Sequence, residues 1–288
     1  MIDFWNVLLD PDNSFLRLAL YVGTLASLPF GIIGTYVVTR RISYLAGAIA
    51  HCVFGGIGAG LYIQIKLGIT WFDPMYGAIA AALLAAIIIG LISLHAQQRE
   101  DTVIGVLWAI GMAAGILFID ITPGYFDITS YLFGDILLIS QSDLYLVIGL
   151  DILTALISIL FFNKLFAVCF DEEFARLRGI NADLFYILLL CLTSITVVLL
   201  VRMVGIIMVI ALLTIPPAIA GIFAGKLWQM MALSSILCAV FTWSGLAVSY
   251  QFNLSSGPTI IMIAGITYLI TLSTIKLKEI ISNNLKSQ

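Results

Sequence analysis

Residues 183–225, DLFYILLLCLTSITVVLLVRMVGIIMVIALLTIPPAIAGIFAG, decide the fold class of this chain. Only Asp183 and Arg202 carry a charge in this stretch. A helix needs about 20 predominantly apolar residues to cross the hydrocarbon core of a bilayer. The stretch is therefore long enough for two crossings, which we predict over 183–203 and 205–225.

The composition of the whole chain also indicates a membrane protein. Of its 288 residues, 62% are hydrophobic and 10% are charged, whereas a soluble domain is about 45–50% apolar and about 25% charged. The net charge of −3 excludes a nucleic-acid partner, because nucleic-acid-binding domains need a basic surface. We predict that residues 1–288 form a single transmembrane domain surrounded by lipid, with no separate soluble domain.

The apolar runs predict an all-α polytopic fold with about nine transmembrane helices. Helices are the default because lipid offers no partner to a free backbone N–H or C=O, and the runs lack the alternation typical of a membrane β-barrel. The piece Tyr131–Ile139 is too short to cross as a helix, so we expect a short re-entrant or interfacial segment. The seven further predicted spans are 18–39, 45–65, 75–96, 102–121, 142–163, 227–250 and 258–276.

The basic residues predict the orientation of the chain, because cytoplasmic loops carry an excess of Lys and Arg. With the N-terminus outside, three basic residues face outward, namely Arg17, Lys66 and Arg202. The other ten of the 13 face inward: Arg40, Arg41, Arg99, Lys164, Arg176, Arg178, Lys226, Lys276, Lys278 and Lys286. We predict a multi-pass protein of the cytoplasmic (inner) membrane, with residues 1–16 outside and a cytoplasmic tail over 277–288.

Ionisable residues inside the predicted spans are candidates for function, because they are costly in lipid. His51 lies in the second span and Asp151 in the fifth. Imidazole is a common ligand of transition metals, so we predict both as residues of a metal pathway. The alternative for each is a polar contact within the bundle, and nothing in the sequence shows that the two meet. Asp135 lies in the short segment, and we expect His95 to be solvated at the inner interface.

Enzyme motifs are absent from the sequence. No GxxxxGK[ST] motif occurs, because Gly225-Lys226 is followed by Leu227 and lacks the preceding loop. That motif cradles the phosphates of ATP in P-loop enzymes. We therefore predict a transport protein without its own ATPase site, and any ATP-driven pumping requires a separate subunit.

The stretch 171–180, DEEFARLRGI, is the most strongly charged segment on the predicted inner side. Asp171 is suited to cap the start of a helix and Gly179 to end it. The acidic first turn and the basic last turn match the helix dipole. So short a helix is marginal alone in water. We expect it to dock either on its own bundle or in a socket of a cytoplasmic partner.

Taken together, these features resemble the membrane permease of ATP-binding-cassette (ABC) importers for zinc, manganese or iron. Each matching segment is weak alone, but their order and spacing through the chain are specific. They are Arg40-Arg41-Ile42-Ser43 leading to His51, Arg99–Gly105, Leu132-Phe133-Gly134-Asp135, Asp171–Arg176, Val204–Pro217 and Ser256-Gly257-Pro258-Thr259.

The resemblance implies the partners and the cargo. A second copy of the permease, a cytoplasmic ABC ATPase and an extracytoplasmic metal-binding protein complete the transporter. The ATPase uses the ATP, this chain binds no cofactor, and a divalent metal is transported, with zinc first and manganese or iron next. The charged segment becomes a cytoplasmic coupling helix that docks on the ATPase through Asp171, Glu172, Glu173, Phe174, Ala175, Arg176 and Gly179.

One departure from the family pattern affects the cargo. The family has Asp-x-x-x-His in the second span, whereas here Gly47 stands in the aspartate position before His51. Gly55 stands where the family has proline. The lost carboxylate leaves three hypotheses open. Another acid compensates, with Asp151 as the first candidate; the pathway handles its cation differently; or it passes a less charged, chelated metal. Two alternatives to a divalent-metal importer also stay open: an import permease for a metal chelate of the siderophore, haem or cobalamin type, and an ATP-independent carrier.

Overall fold

The computed structural model describes residues 14–95, 100–124, 126, 128–134 and 141–286. Within these ranges the chain is helical, with no β-strand. The helices are α1 (Ser14–Thr39), α2 (Ser43–Leu61) with a π-helical turn (Tyr62–Lys66), α3 (Pro74–His95), α4 (Glu100–Asp120), α5 (Ile128–Phe133), α6 (Gln141–Leu160), α7 (Phe162–Phe170), α8 (Glu172–Leu177), α9 (Ala182–Val204), α10 (Ile206–Phe223), α11 (Leu227–Phe252) and α12 (Ser256–Lys286).

The predicted all-α polytopic fold is confirmed. Within the described ranges, nine helices are long and apolar enough to span a membrane, the number that the apolar runs predict. Most predicted ends agree with the structure within two residues, and three differ by more. Helix α1 begins at Ser14 instead of residue 18, the fifth span stops at Leu160 instead of residue 163, and α12 continues through most of the predicted tail to Lys286.

The early end of the fifth span is a break in helical conformation at Phe161, after which α7 begins and carries the polar pair Asn163-Lys164. Leu165 in this helix is fully buried, whereas Phe166 is 40% exposed and Phe170 is 60% exposed. Such a two-faced helix is typical of the membrane–water interface.

Helix α2 is held unusually close to α3 and α4 by glycines. A Cβ at Gly55 would lie 2.8 Å from the carbonyl oxygen of Gly111, and one at Gly111 would lie 2.7 Å from the backbone N of Cys52. A Cβ at Gly56 would lie 2.7 Å from the Cβ of Ala81 in α3. Small residues of this kind let helix backbones approach each other in a membrane. The close approach positions the side chains of α4 against His51.

The other half of the bundle forms around α1, which packs against α6, α10 and α11. Phe30, Ile33 and Tyr36 of α1 are almost completely buried. Helix α12 lies at the periphery, because only 11% of its span is buried. That leaves a long apolar surface for lipid or for another chain.

Part of the predicted short segment lies at a junction of three glycines. Tyr131–Phe133 belongs to α5, and Gly134 follows it with φ +63°. A Cβ at Gly205 would lie 2.8 Å from the carbonyl oxygen of Leu132. A Cβ at Gly134 would overlap the backbone N of Gly205. A Cβ at Gly257 would overlap the carbonyl oxygen of Phe133. Three of the segments that carry the family resemblance therefore meet here. Residues 135–140 of the predicted segment lie outside the described residues.

Candidate functional site

His51 is half-buried near the middle of the second span. Its Nδ1 lies 3.3 Å from Sδ of Met112. Its ring stacks on Trp108, with the ring centroids 4.7 Å apart and an interplanar angle of 28°. Met112 and Trp108 both belong to α4. The imidazole therefore has a thioether beside one nitrogen and an indole over one ring face.

Trp108 also explains the glycine at position 47. Gly47 is buried one helical turn before His51, and a Cβ there would lie 2.6 Å from Cη2 of Trp108. The indole occupies the volume that any side chain at this position requires. The carboxylate expected from the family resemblance is thus replaced by an aromatic ring of the neighbouring helix.

Asp151 does not form a pair with His51. It lies in α6, which packs against α1 and α9, whereas α2 packs chiefly against α3 and α4. Both carboxylate oxygens of Asp151 are buried, and neither has a hydrogen-bond partner among the described residues. Within the same ranges, no group of three or more His, Cys, Asp or Glu side chains is arranged to hold a metal ion.

The predicted short helix is present as α8. The Asp171 carboxylate accepts a hydrogen bond of 2.9 Å from the backbone N–H of Phe174, as an N-cap does. Gly179 follows the helix with φ +74°, a conformation that favours glycine. Ala175 is fully buried, whereas Phe174 is 48% exposed and Leu177 is 87% exposed. The helix is therefore anchored to its own bundle on one side and presents apolar side chains on the other.

A chain of ion pairs fixes the position of α8. Glu172 accepts hydrogen bonds from Arg40, in the turn between α1 and α2, and from Arg176 at 2.8 Å. Arg176 also donates to Asp183 of α9 at 2.6 Å. The Arg40 guanidinium lies 5.4 Å from the ring centroid of Tyr186 in α9. These contacts join α8 to the turn that leads into α2 and to α9.

The two arginine partners lower the pKa of Glu172 in the folded chain. Burial alone raises its pKa, but the hydrogen bonds and charges of Arg176 and Arg40 act against burial and hold the pKa below its ordinary value. In turn, the hydrogen bond to Glu172 and the charge of Asp183 raise the pKa of Arg176. Glu172 is therefore an internal anchor at neutral pH, whereas its neighbour Glu173 is exposed.

Some of the predicted residues fall outside the part of the chain that the structure describes. They are Asp135, Arg99 and the side chain of His95.

Reasoning from the sequence alone missed two residues, Trp108 and Met112, and the ion pair of Arg40. Trp108 and Met112 line the His51 site, and Arg40 pairs with Glu172. The sequence does contain one sign of Trp108 and Met112, because Gly111 lies between them and packs against the glycines of α2. This sign identifies the two residues only when it is known that α2 and α4 are neighbours.

A family model and several related proteins match this chain along almost its whole length. A family model described as the ABC 3 transport family matches residues 12–275. The Synechocystis membrane protein slr2045 is 44% identical over 260 residues, which are 90% of each chain. A probable metal transport system membrane protein of Chlamydia pneumoniae is 40% identical over 86% of this chain and 84% of the relative.

A further relative and a solved structure carry more specific names. The manganese import system permease protein ScaB of Streptococcus gordonii is 32% identical over 90% of this chain and 91% of the relative. The solved PsaBC from Streptococcus pneumoniae, in complex with Fab, superimposes with a TM-score of 0.82 at 31% identity. The match covers 94% of this chain and 95% of that one.

Proposed function

The chain belongs to the ABC 3 transport family, and from this premise we propose that it is the permease of an ABC importer that moves a divalent transition-metal ion into the cytoplasm. The observation that carries the proposal is the match over nearly all of its length to permeases named for metal or manganese transport. The architecture supports it, because the nine candidate spans leave α8 as a short helix outside the membrane.

In this proposal the energy comes from a separate ATPase subunit that docks on α8. Phe174 and Leu177 are exposed on this helix although they are apolar, which is typical of a surface that another protein covers. Glu173 is exposed beside Glu172 and Ala175, the two residues that anchor the helix to its own bundle. The Arg40 face of the bundle is then the cytoplasmic face. This direction agrees with the excess of basic residues there and with an extracytoplasmic N-terminus.

Two further partners complete the proposed transporter. A metal-binding protein delivers the cargo at the opposite face, near the Gly134–Gly205–Gly257 junction. A second copy of the chain forms the other half of the permease, and the long exposed surface of α12 is available to lipid or to this copy.

The identity of the metal is a finer question. The relatives named for manganese import are 31–33% identical to this chain, whereas the relatives at 40–44% are named for metal transport in general or for no substrate. The family resemblance leads us to expect zinc first, with manganese or iron next. Manganese and zinc are therefore the two cargoes to compare directly.

Transport by proteoliposomes tests the proposal. We expect uptake of radioactive manganese or zinc only when the chain is reconstituted with its ATPase, its binding protein and ATP. Phe174→Ala and Glu173→Lys should lower metal uptake about tenfold or more and weaken ATPase binding. Leu84→Ala is the control, because this leucine is 59% exposed near the middle of the α3 span, away from both proposed docking faces. Metal uptake by the chain alone would instead support an ATP-independent carrier.

A further inference from the structure

The contact between His51 and Met112 bears on which metal the permease selects. The Nδ1 and Sδ atoms are 3.3 Å apart, and each belongs to a residue that is half-buried near the middle of a span. One imidazole nitrogen and one thioether sulfur are thus presented together, from two helices, near the middle of two candidate spans.

The separation of the two atoms suits a shared metal ion. Zinc–imidazole bonds are about 2.0 Å long and zinc–thiolate bonds about 2.3 Å long, and a thioether binds at an equal or longer distance, so donors 3.3 Å apart subtend an angle of at most about 100° at a shared ion. Zinc prefers a tetrahedral arrangement of four ligands, to which such an angle is near. The distance between the two donor atoms therefore fits two ligands of one ion.

The residues around His51 and Met112 keep the contact between nitrogen and sulfur and exclude an oxygen ligand from position 47. Trp108 fills the space at Gly47, so an oxygen ligand from that position is excluded. The close approach at Gly111 holds Met112 against the imidazole. Soft thioether and imidazole donors suit zinc and softer ions, whereas carboxylate, carbonyl and water oxygens suit manganese.

We infer that Met112 is a specificity-determining residue that binds the permeating metal through its thioether beside His51, and that this nitrogen–sulfur pair selects Zn²⁺ over Mn²⁺. The inference rests on the proposed function, because it assigns a ligand within a metal import permease. Met112 makes this contact because α2 and α4 meet at glycines, and Trp108 positions the imidazole by stacking on it.

X-ray absorption at the zinc edge tests the inference on the purified, zinc-loaded chain. We expect one sulfur scatterer in the wild-type chain, at the thiolate distance of about 2.3 Å or slightly longer. Met112→Leu should remove this scatterer and weaken zinc affinity about tenfold or more, while manganese affinity changes little. Met262→Leu is the matched control, because Met262 is 61% exposed in α12. Cys52→Ala tests the adjacent thiol and should retain the sulfur scatterer.

The other outcomes overturn the inference. A zinc spectrum with only nitrogen and oxygen scatterers would mean that the contact is a weak N–H···S hydrogen bond within the bundle. A sulfur feature lost in Cys52→Ala but kept in Met112→Leu would assign the ligand to the thiol. A wild-type chain that binds no zinc would exclude the pair as a zinc site. None of these results affects ATP-dependent metal uptake in proteoliposomes, whereas its absence would refute the proposed function.

Discussion

Arg40 forms an ion pair with Glu172 across 132 positions of sequence. Arg40 lies in the turn that joins α1 to α2, and Glu172 lies in the first turn of α8. The two side chains are 24% and 25% exposed, so water screens their attraction less than it does for a pair on an open surface. The pair connects the helix proposed to dock on the ATPase with the start of the helix that carries His51.

Removal of this ion pair should weaken coupling between ATP hydrolysis and metal uptake. We expect Arg40→Gln and Glu172→Gln each to destabilise the chain by about 1 kcal/mol and to lower the metal transported per ATP hydrolysed. A double-mutant cycle is the measurement, because two residues that act through one contact show non-additive effects. The double variant should be little worse than either single variant.

The matched control for the cycle is Arg41→Gln, which removes the same charge from the exposed neighbouring position. This variant should keep the coupling ratio of the wild-type chain. Fully additive losses in the Arg40–Glu172 cycle would contradict the role of the pair.

The pH dependence of stability should report the same contact. The pKa of Glu172 is lowered in the folded chain, so its ionised form contributes stability above the unfolded pKa of about 4.3. That contribution is lost as the pH falls through the still lower folded pKa. We expect the melting temperature of the wild-type chain to exceed that of Glu172→Gln by a constant amount above about pH 5, and the difference to disappear in stronger acid.

Glu173→Gln is the control for the pH experiment, because Glu173 is the exposed neighbour in the same turn. Its melting temperature should follow the wild-type curve at every pH. A gap between the wild-type chain and Glu172→Gln that widens toward acid would mean that folding raises the pKa of Glu172, which is the opposite of the effect expected from its two arginine partners.

Because the Trp108 indole fills the space beside Gly47, we expect an aspartate at position 47 to be accommodated only when Trp108 is also made smaller. Gly47→Asp should destabilise the chain by about 1–3 kcal/mol, because its side chain overlaps the indole. Gly47→Asp combined with Trp108→Ala should fold better than the single variant and place a carboxylate one turn from His51. Oxygen donors suit manganese, so the ratio of manganese to zinc uptake should rise in the double variant.

Gly47→Asn with Trp108→Ala separates charge from shape in this experiment, because asparagine has nearly the size of aspartate. This variant should fold as well as its aspartate counterpart and leave the uptake ratio lower. Equal ratios in the two double variants would show that space, and not the carboxylate, sets the selectivity.

At the glycine junction at the end of α5, replacing one glycine by alanine should destabilise the chain strongly. Gly134 has φ +63°, and its Cβ would overlap the backbone of Val204 and Gly205. Backbone strain of this kind costs about 1–3 kcal/mol before the overlap is counted. Gly134→Ala should therefore lower the melting temperature clearly, whereas Gly149→Ala, with no atom near its Cβ inside α6, should leave it unchanged or raise it.

The sequence predicted most of the fold because the signals of spanning helices are local. Apolar length defines a span such as α9 without knowledge of its neighbours, and the capping pattern of Asp171 and Gly179 defined α8. The break at Phe161 was missed because only Asn163 and Lys164 interrupt an otherwise apolar run from Leu160 to Phe170. The contacts of Trp108, Met112 and Arg40 were missed because each depends on which helices are neighbours. Residues that meet across 61 or 132 positions leave no periodic pattern in one sequence.

Asp151 provides the last prediction, because its buried carboxylate has no hydrogen-bond partner among the described residues. An ionisable side chain inside a membrane span is costly and is kept for a use such as passing an ion. Asp151→Asn preserves the shape and removes the ability to ionise, so stability should be equal or higher while metal uptake falls. Asp120→Asn, an exposed carboxylate at the end of α4, should change neither. Unchanged uptake in Asp151→Asn would place this residue outside the metal pathway and leave His51 and Met112 to handle the ion.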